Sequence, residues 1–266
     1  VKLSDHDQNN LIRVAGLLAD AARVETLKYF RKTELGLENK LSQGFDPVTV
    51  ADRAAEKAMR AILSTERPHD AILGEEYGET VGTSGLTWVL DPIDGTRAYI
   101  SGSPTWGTLI AVSDDAGPLC GIVDQPYIGE RFIGAFGQAT FSGPHGSGGI
   151  STRKGSSLHD ATLFTTFPEV GTPDEGAAFR RVAEKVRLVR YGMDCYAYAL
   201  LAAGQIDLVI EAGLNSYDIQ GPIAVIEGAG GIVTNWQGGP AHMGGQAIAA
   251  ANPHIHREAL KLLQAI

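Results

Sequence analysis

The run Asp91-Pro92-Ile93-Asp94-Gly95-Thr96 follows directly on the apolar segment Trp88-Val89-Leu90, so a strand ends in acid, turns and leaves through a glycine-hydroxyl pair. A strand that closes this way and passes into a helix can hold a divalent metal and a phosphate side by side. Mg²⁺ takes hard oxygen ligands in octahedral geometry and keeps several waters, so a few carboxylates shared with a substrate phosphate suit it. Asp91 and Asp94 are the carboxylates in question. Pro92 fixes its own φ and biases Asp91 towards an extended conformation. Gly95 lets a phosphate approach the backbone, where free N–H groups at a helix start receive its oxygens. The plainer alternative is a strand followed by a tight turn, since Asp, Pro and Gly are ordinary turn formers.

The chain has 266 residues, enough for one domain or two abutting halves, and its 44% hydrophobic and 20% charged content is that of a globular protein. A formal charge of −9 argues against a nucleic-acid backbone or an anionic membrane as partner. It leaves an anionic substrate open, because bound metal reverses the local sign. The two cysteines, Cys120 and Cys195, form no short metal or redox motif. The N-terminal residues carry no hydrophobic signal region, and no stretch approaches the roughly 18 apolar residues of a membrane span. These features lead us to expect a soluble protein of the cytoplasm.

Apolar residues near helical spacing predict one or two helices from Asp5 to Lys32, then a polar connection through Ser42-Gln43-Gly44. A second helix is expected from Thr49, where Thr-x-x-Asp to Asp52 resembles a capping box, to about Glu66. Strands are predicted at Ala71–Leu73, Thr87–Leu90, Thr108–Val112, Gly121–Val123 and Arg131–Phe136. The glycine-rich stretch 142–149 is read as a boundary between an N-terminal α+β half, 1–145, and a C-terminal α/β half, 146–266, or equally as an exposed hairpin loop. Beyond it, strands are expected at Thr162–Phe167, Leu188–Tyr191, Leu208–Glu211, Gly231–Thr234 and Ala247–Ala250. Helices are expected at Asp174–Val186, Cys195–Ala203, Ile219–Glu227 with Pro222 in its first turn, and Pro253–Leu263.

Three acidic signals occur in one order: Gly74-Glu75-Glu76 after a short strand, Asp91–Thr96 after the next, and Tyr217-Asp218 before a helix. With the upstream segment Asp46–Asp52, they resemble the inositol monophosphatase family of Mg²⁺-dependent phosphatases across roughly Asp5 to Leu263. That resemblance implies a mixed α/β fold, an αβαβα layered sandwich, and commonly a homodimer. It implies that Glu75, Asp91, Asp94 and Asp218 bind two or three Mg²⁺ ions, with the Ile93 carbonyl as a further ligand. By the same resemblance Asp52, Thr96 and Glu75 position or activate the attacking water, and the Gly95 and Thr96 N–H groups receive phosphate. One departure is Tyr217-Asp218-Ile219-Gln220-Gly221-Pro222, where many relatives have Trp-Asp followed by small residues.

The segments Arg97–Ile110, Asp124-Gln125-Pro126 with Glu130-Arg131, and Gly192–Ala199 look like the histidinol-phosphate phosphatase branch of that family. The branch implies hydrolysis of L-histidinol phosphate to L-histidinol. Its substrate carries an amine and an imidazole away from the phosphate, and a cationic end calls for carboxylates. Asp194 stands where inositol-specific relatives usually have a small residue, and Glu211 matches a substrate-recognition position. Arg97 is expected to contact substrate or a second subunit, and Arg190 to orient Asp194.

Each site residue has a plainer role when taken alone. Glu75 fits a solvated acidic turn, Asp52 a capping-box acid, Asp218 an N-cap and Arg97 a surface ion pair. The seven histidines show no zinc-type pattern, and the glycines of 227–231 precede a strand instead of opening a helix, unlike a dinucleotide fingerprint. The rival functions are the same chemistry on inositol phosphate, a sugar phosphate or a nucleotide, and a non-catalytic phosphometabolite-binding protein.

Overall fold

The computed structural model describes residues 3–32, 36, 38, 39, 47–155 and 157–265; Ser42-Gln43-Gly44 and Asp46 of the expected connection lie outside them. Ser4 and Asp7 form a reciprocal cap at the start of α1 (Asp5–Tyr29), whose stripe Leu11, Val14, Ala15, Leu18 and Ala22 is buried. A single helix therefore occupies the first segment. It ends at Tyr29 because Phe30 turns extended and enters an aromatic cluster with Tyr99 and Trp106. A short pair, β1 (Glu38–Asn39) and β2 (Pro47–Val48), precedes α2 (Val50–Glu66), which starts at the Thr49–Asp52 box.

The first sheet then forms from β3 (Ala71–Gly74), β4 (Gly78–Thr80) and β5 (Thr87–Asp94), with α3 (Thr96–Ile100) following the acidic turn. It continues through β6 (Gly107–Asp114), β7 (Gly117–Gln125), β8 (Glu130–Ala135), β9 (Gln138–Gly143) and β10 (Gly146–Gly149). The spatial order is β10-β9-β8-β7-β6-β5-β3-β4, antiparallel except for the β3–β5 pair. The glycine-rich stretch is thus a hairpin whose turn contains His145, and the chain changes sheet between Gly149 and Thr162.

The second sheet comprises β11 (Thr162–Thr165), β12 (Leu188–Tyr191), β13 (Leu208–Leu214), β14 (Ile232–Thr234) and β15 (Gly245–Ala250), in the order β12-β11-β13-β15-β14. Its helices are α4 (Pro173–Ala183), α5 (Tyr196–Ala202), α6 (Ser216–Gly228) and α7 (Pro253–Leu263). Helix α6 begins three residues earlier than the sequence predicts. The Asp218 carboxylate reaches back to the Asn215 N–H at 2.6 Å and seeds a turn ahead of Ile219. Asp218 is therefore inside the first turn and is not the cap, and Pro222 sits in the helix interior, where it leaves the Asp218 carbonyl without an i→i−4 donor.

Apolar side chains fill the spaces between five layers. Helices α1 and α2 pack on one face of the first sheet, against Trp88, Leu90, Ile110 and Ile122. Helices α5 and α6 fill the space between the sheets, against Leu109, Val123 and Phe132 on one side and Val209, Ala247 and Ala249 on the other. Helices α4 and α7 cover the outer face of the second sheet. This is the αβαβα sandwich.

Two glycines set how closely α6 approaches. Gly121 and Gly134 face one another across β7 and β8. A Cβ at Gly121 would lie 2.6 Å from the Gly221 carbonyl oxygen, and one at Gly134 would lie 2.1 Å from that of Ala224. The bare patch seats the helix that carries Asp218.

Candidate active site

Asp91 pairs across β6 with Leu109, and Asp94 with Gly107, so 91→94 on β5 opposes only 109→107 on β6. Residues three apart in a regular strand face opposite ways. The extra residue is a bulge at Pro92-Ile93, where Pro92 offers no N–H to the ladder and its carbonyl accepts from Thr108 Oγ1 at 2.8 Å. The bulge returns Asp94 to the side of Asp91. Asp218 arrives from α6, and carboxylate oxygens of Asp91, Asp94 and Asp218 all lie within 4.8 Å of one another.

A cavity of about 310 Å³ opens over this triangle between the two sheets. Six carboxylates line it, those of Glu75, Asp91, Asp94, Asp194, Glu211 and Asp218, against one guanidinium, that of Arg97. Burial raises Asp91 well above the ordinary carboxylate range, and the charges of Glu75, Asp94 and Asp218 add to it. Asp94 is raised likewise by burial, then by Asp194 and Asp218, while the Cys195 N–H at 2.7 Å opposes the shift. Asp91 Oδ1 is buried with no hydrogen-bond partner among the described residues. An orphaned anionic oxygen in an all-oxygen cluster is a setting that a hard divalent cation fits.

Gly95 stands at φ +82°, and a Cβ there would lie 2.7 Å from Asp194 Cγ, so both backbone and neighbour require glycine. Thr96 donates its hydroxyl to the Ile93 carbonyl at 3.1 Å. Arg97 lays its guanidinium over the Phe167 ring, 5.1 Å from the centroid, and both line the cavity. Across the cavity, Glu211 on β13 accepts from the Thr166 N–H at 2.7 Å and from the Thr165 and Thr166 hydroxyls. Burial pushes its carboxyl up to about 7 against those bonds.

The structure thus brings Glu75, Asp91, Ile93, Asp94, Gly95, Thr96, Arg97, Asp194, Glu211 and Asp218 to one cavity. Two sequence expectations are corrected. Asp52, expected at the attacking water, is not among the residues lining the cavity: its Oδ2 accepts from the Thr49 N–H at 2.8 Å and the Thr49 hydroxyl at 2.6 Å. Burial raises Asp52 to about 7, and its Oδ1 has no partner among the described residues. Arg190 does not orient Asp194. It is exposed on β12, the edge strand of the second sheet, and the hydrogen bond to Asp194 comes from Thr105.

Sequence reasoning missed Glu56. It is fully buried on α2, and its carboxylate accepts from the Glu76 and Tyr77 N–H groups and from Arg60, which shapes the turn holding Glu75. A charged residue beside Ala55 and Met59 on the apolar stripe of α2 was the available signal. Tyr198 was missed as well: it lines the cavity, its hydroxyl is buried without a partner among the described residues, and burial raises its pKa, with the Glu211, Asp94 and Asp218 charges adding.

Comparison with known proteins sets this geometry in context. The inositol monophosphatase family matches residues 7–266. A chloroplastic bifunctional phosphatase of Arabidopsis thaliana is 41% identical over 275 residues, covering 99% of this chain and 78% of that protein. A histidinol-phosphatase of Mycobacterium tuberculosis is 34% identical over 251 residues, covering 93% of this chain and 96% of that protein. The solved structure of an inositol monophosphatase from Zymomonas mobilis is similar with a TM-score of 0.85 at 39% identity, covering 99% of this chain and all of that one. Among the described residues, no helix is long and apolar enough to cross a membrane.

Proposed function

The chain belongs to the inositol monophosphatase family and is a phosphatase of that family, and from that premise we propose that it hydrolyses L-histidinol phosphate to L-histidinol and phosphate. The observation that carries this reading is the Asp194 carboxylate packed against Gly95, beside the acidic triangle and facing Glu211 across one cavity. In histidinol phosphate the ammonium sits on the carbon next to the phosphorylated one. A phosphate at Gly95 and Thr96 brings that ammonium to Asp194 and leaves the imidazole for Glu211. Inositol presents only hydroxyls there, and a buried carboxylate facing a neutral polyol lacks a charge partner.

Six carboxylates around one guanidinium repel a phosphate dianion unless cations intervene. Mg²⁺ suits the donor set: Asp91, Asp94 and Asp218 would hold it, with Glu75 and the Ile93 carbonyl, in two or three ions. Bound there, it supplies positive charge to the phosphate and lowers the pKa of its water. Glu75 and Thr96 face the cavity and orient the attacking water, whereas Asp52 supports them by fixing the start of α2. Arg97, at the rim, contacts the entering anion, and no role is left for Arg190.

The rival is an inositol phosphatase, favoured by the likeness to the Zymomonas mobilis protein. Mg²⁺-dependent phosphate release from L-histidinol phosphate, inositol 1-phosphate and a nucleoside monophosphate separates the two. A kcat/KM ratio of about a hundredfold for histidinol phosphate, or roughly 2.7 kcal/mol of transition-state binding, is expected. Comparable rates on all three would overturn the assignment and leave a general phosphomonoesterase.

A further inference from the structure

Asp194 carries the proposed specificity, and its carboxylate is held from across the cavity. It stands at φ +47°, in the left-handed region that a non-glycine residue occupies under constraint. Its side-chain hydrogen bond comes from the turn ahead of β6. Thr105, in the turn between α3 and β6, donates its hydroxyl to Asp194 Oδ2 at 2.9 Å. Ser103 Oγ lies 3.2 Å from that hydroxyl. Thr105 has one proton to give and gives it to the carboxylate, so Ser103 is the donor to Thr105 and the string runs in one direction.

The turn is anchored in its own right. Gln125, the last residue of β7, is fully buried and donates Nε2–H to the Thr105 carbonyl at 2.9 Å. Only the NH₂ side of the amide suits a carbonyl, which settles its orientation. Its neighbour Asp124 is clamped by Arg23 at 2.7 Å and Arg131 at 2.6 Å, tying β7 to α1 and β8. A continuous set of contacts therefore runs from a buried ion cluster through Gln125 and Thr105 to the carboxylate above Gly95.

We propose that Thr105 and Gln125 are positioning residues that aim the Asp194 carboxylate at the cationic end of the substrate, a proposal that rests on the histidinol phosphate reading. Neither is among the residues lining the cavity of the acidic triangle. Their loss weakens recognition of the ammonium and spares hydrolysis of an ester without one.

The test compares kcat/KM for L-histidinol phosphate and phenyl phosphate in the Mg²⁺-loaded enzyme. Thr105→Val should lower the ratio about tenfold, through KM for histidinol phosphate, the scale of one hydrogen bond to a charged group. Thr105→Ser, which restores the hydroxyl, should retain the ratio, and Gln125→Met should lower it in the same direction. Thr105→Val added to Asp194→Asn should lower it no further than Asp194→Asn alone. Equal losses on both esters in Thr105→Val, or a serine variant as impaired as the valine one, would refute the positioning role. If the valine variant does not fold, Gln125→Met decides: a lowered ratio supports the proposal and an unchanged one refutes it. Asp194→Asn tells the two failures apart. An unchanged ratio there overturns the histidinol phosphate reading itself, whereas a fall in Asp194→Asn with none in Thr105→Val overturns only this inference.

Discussion

Replacing Gly134 with alanine tests whether the bare patch on β7 and β8 positions α6. The new Cβ would meet Ala224 O at 2.1 Å, Ala224 C at 2.3 Å and Val225 Cα at 2.3 Å, all backbone atoms that no rotamer change can move. Ordinary contact begins near 3.4 Å, so α6 must retreat by roughly the difference, about 1.3 Å. Overpacking of this kind costs about 1–3 kcal/mol, and the backbone contact places Gly134→Ala at the upper end. For a chain of this size that is roughly 5–10 °C in Tm. The retreat carries Asp218 away from Asp91 and Asp94, whose oxygens it must approach within 4.8 Å. Differential scanning calorimetry in EDTA and Mg²⁺ titration of activity therefore read two consequences of one displacement: a lower Tm and a higher Mg²⁺ midpoint. A variant with wild-type Tm and an unchanged Mg²⁺ midpoint would refute the argument that the glycine pair sets the helix position.

Gly16, inside α1, has open space where a Cβ would stand, with nothing within 4 Å, so Gly16→Ala should stabilise by about 0.5–1 kcal/mol; a destabilisation in urea unfolding would contradict it. Glu56→Gln sets an NH₂ group against N–H donors and strips the charge from a buried pair with Arg60, at about 3 kcal/mol, and should lower kcat more than it changes KM, because the Glu75 turn loosens. Intact stability with normal kcat would show that the turn does not depend on it. Glu211→Gln addresses pH. The folded carboxyl is raised from 4.5 to about 7, so the folded chain binds a proton that the unfolded chain releases. Its contribution is fully present below pH 4.5 and is lost as pH rises through about 7, amounting to about 3 kcal/mol. In the metal-free protein the glutamine variant should therefore lose less stability than wild type over that window, and parallel curves would exclude the assignment.

Local chemistry explains which elements were legible in the sequence. Strand β12 and helix α7 appear with the bounds that their patterns predict, since Tyr191-Gly192 closes one and Asn252-Pro253 opens the other. The β9–β10 hairpin is obscure because glycine gives a strand no side-chain alternation to read. The start of α6 is hidden because Asn215-x-x-Asp218 caps within a segment whose apolar run begins only at Ile219. In the site, the carboxylates could be read from the acidic signals, whereas the hydrogen-bond partners that hold them from elsewhere in the chain could not. Thr105 and Asp194 are 89 residues apart, and Glu56 and Glu76 are 20 apart. The expected Arg190–Asp194 contact failed on strand order, which places β12 at the edge, a property that spacing does not encode. The Thr49–Asp52 box was legible because both partners lie three residues apart, and it occupies one oxygen of the carboxylate.

A shared device runs through the acidic residues. Asp94 is held by the Cys195 N–H, Asp218 by the Asn215 N–H and Glu211 by the Thr166 N–H, each at 2.6–2.7 Å. In every case a backbone donor fixes one oxygen of the carboxylate, and for Asp94 and Glu211 it opposes the upward shift that burial imposes. Backbone N–H bonds favour the ionised form and oppose the upward pKa shift. They also freeze the rotamer before any cation arrives, so less conformational freedom remains to be lost on binding. Of these contacts the one from Cys195, at the start of α5, to Asp94, at the end of β5, joins residues of the two sheet regions. The cavity is therefore organised only when the two sheets are packed. Gly121 and Gly134, which set that packing, belong to the site as much as the carboxylates do.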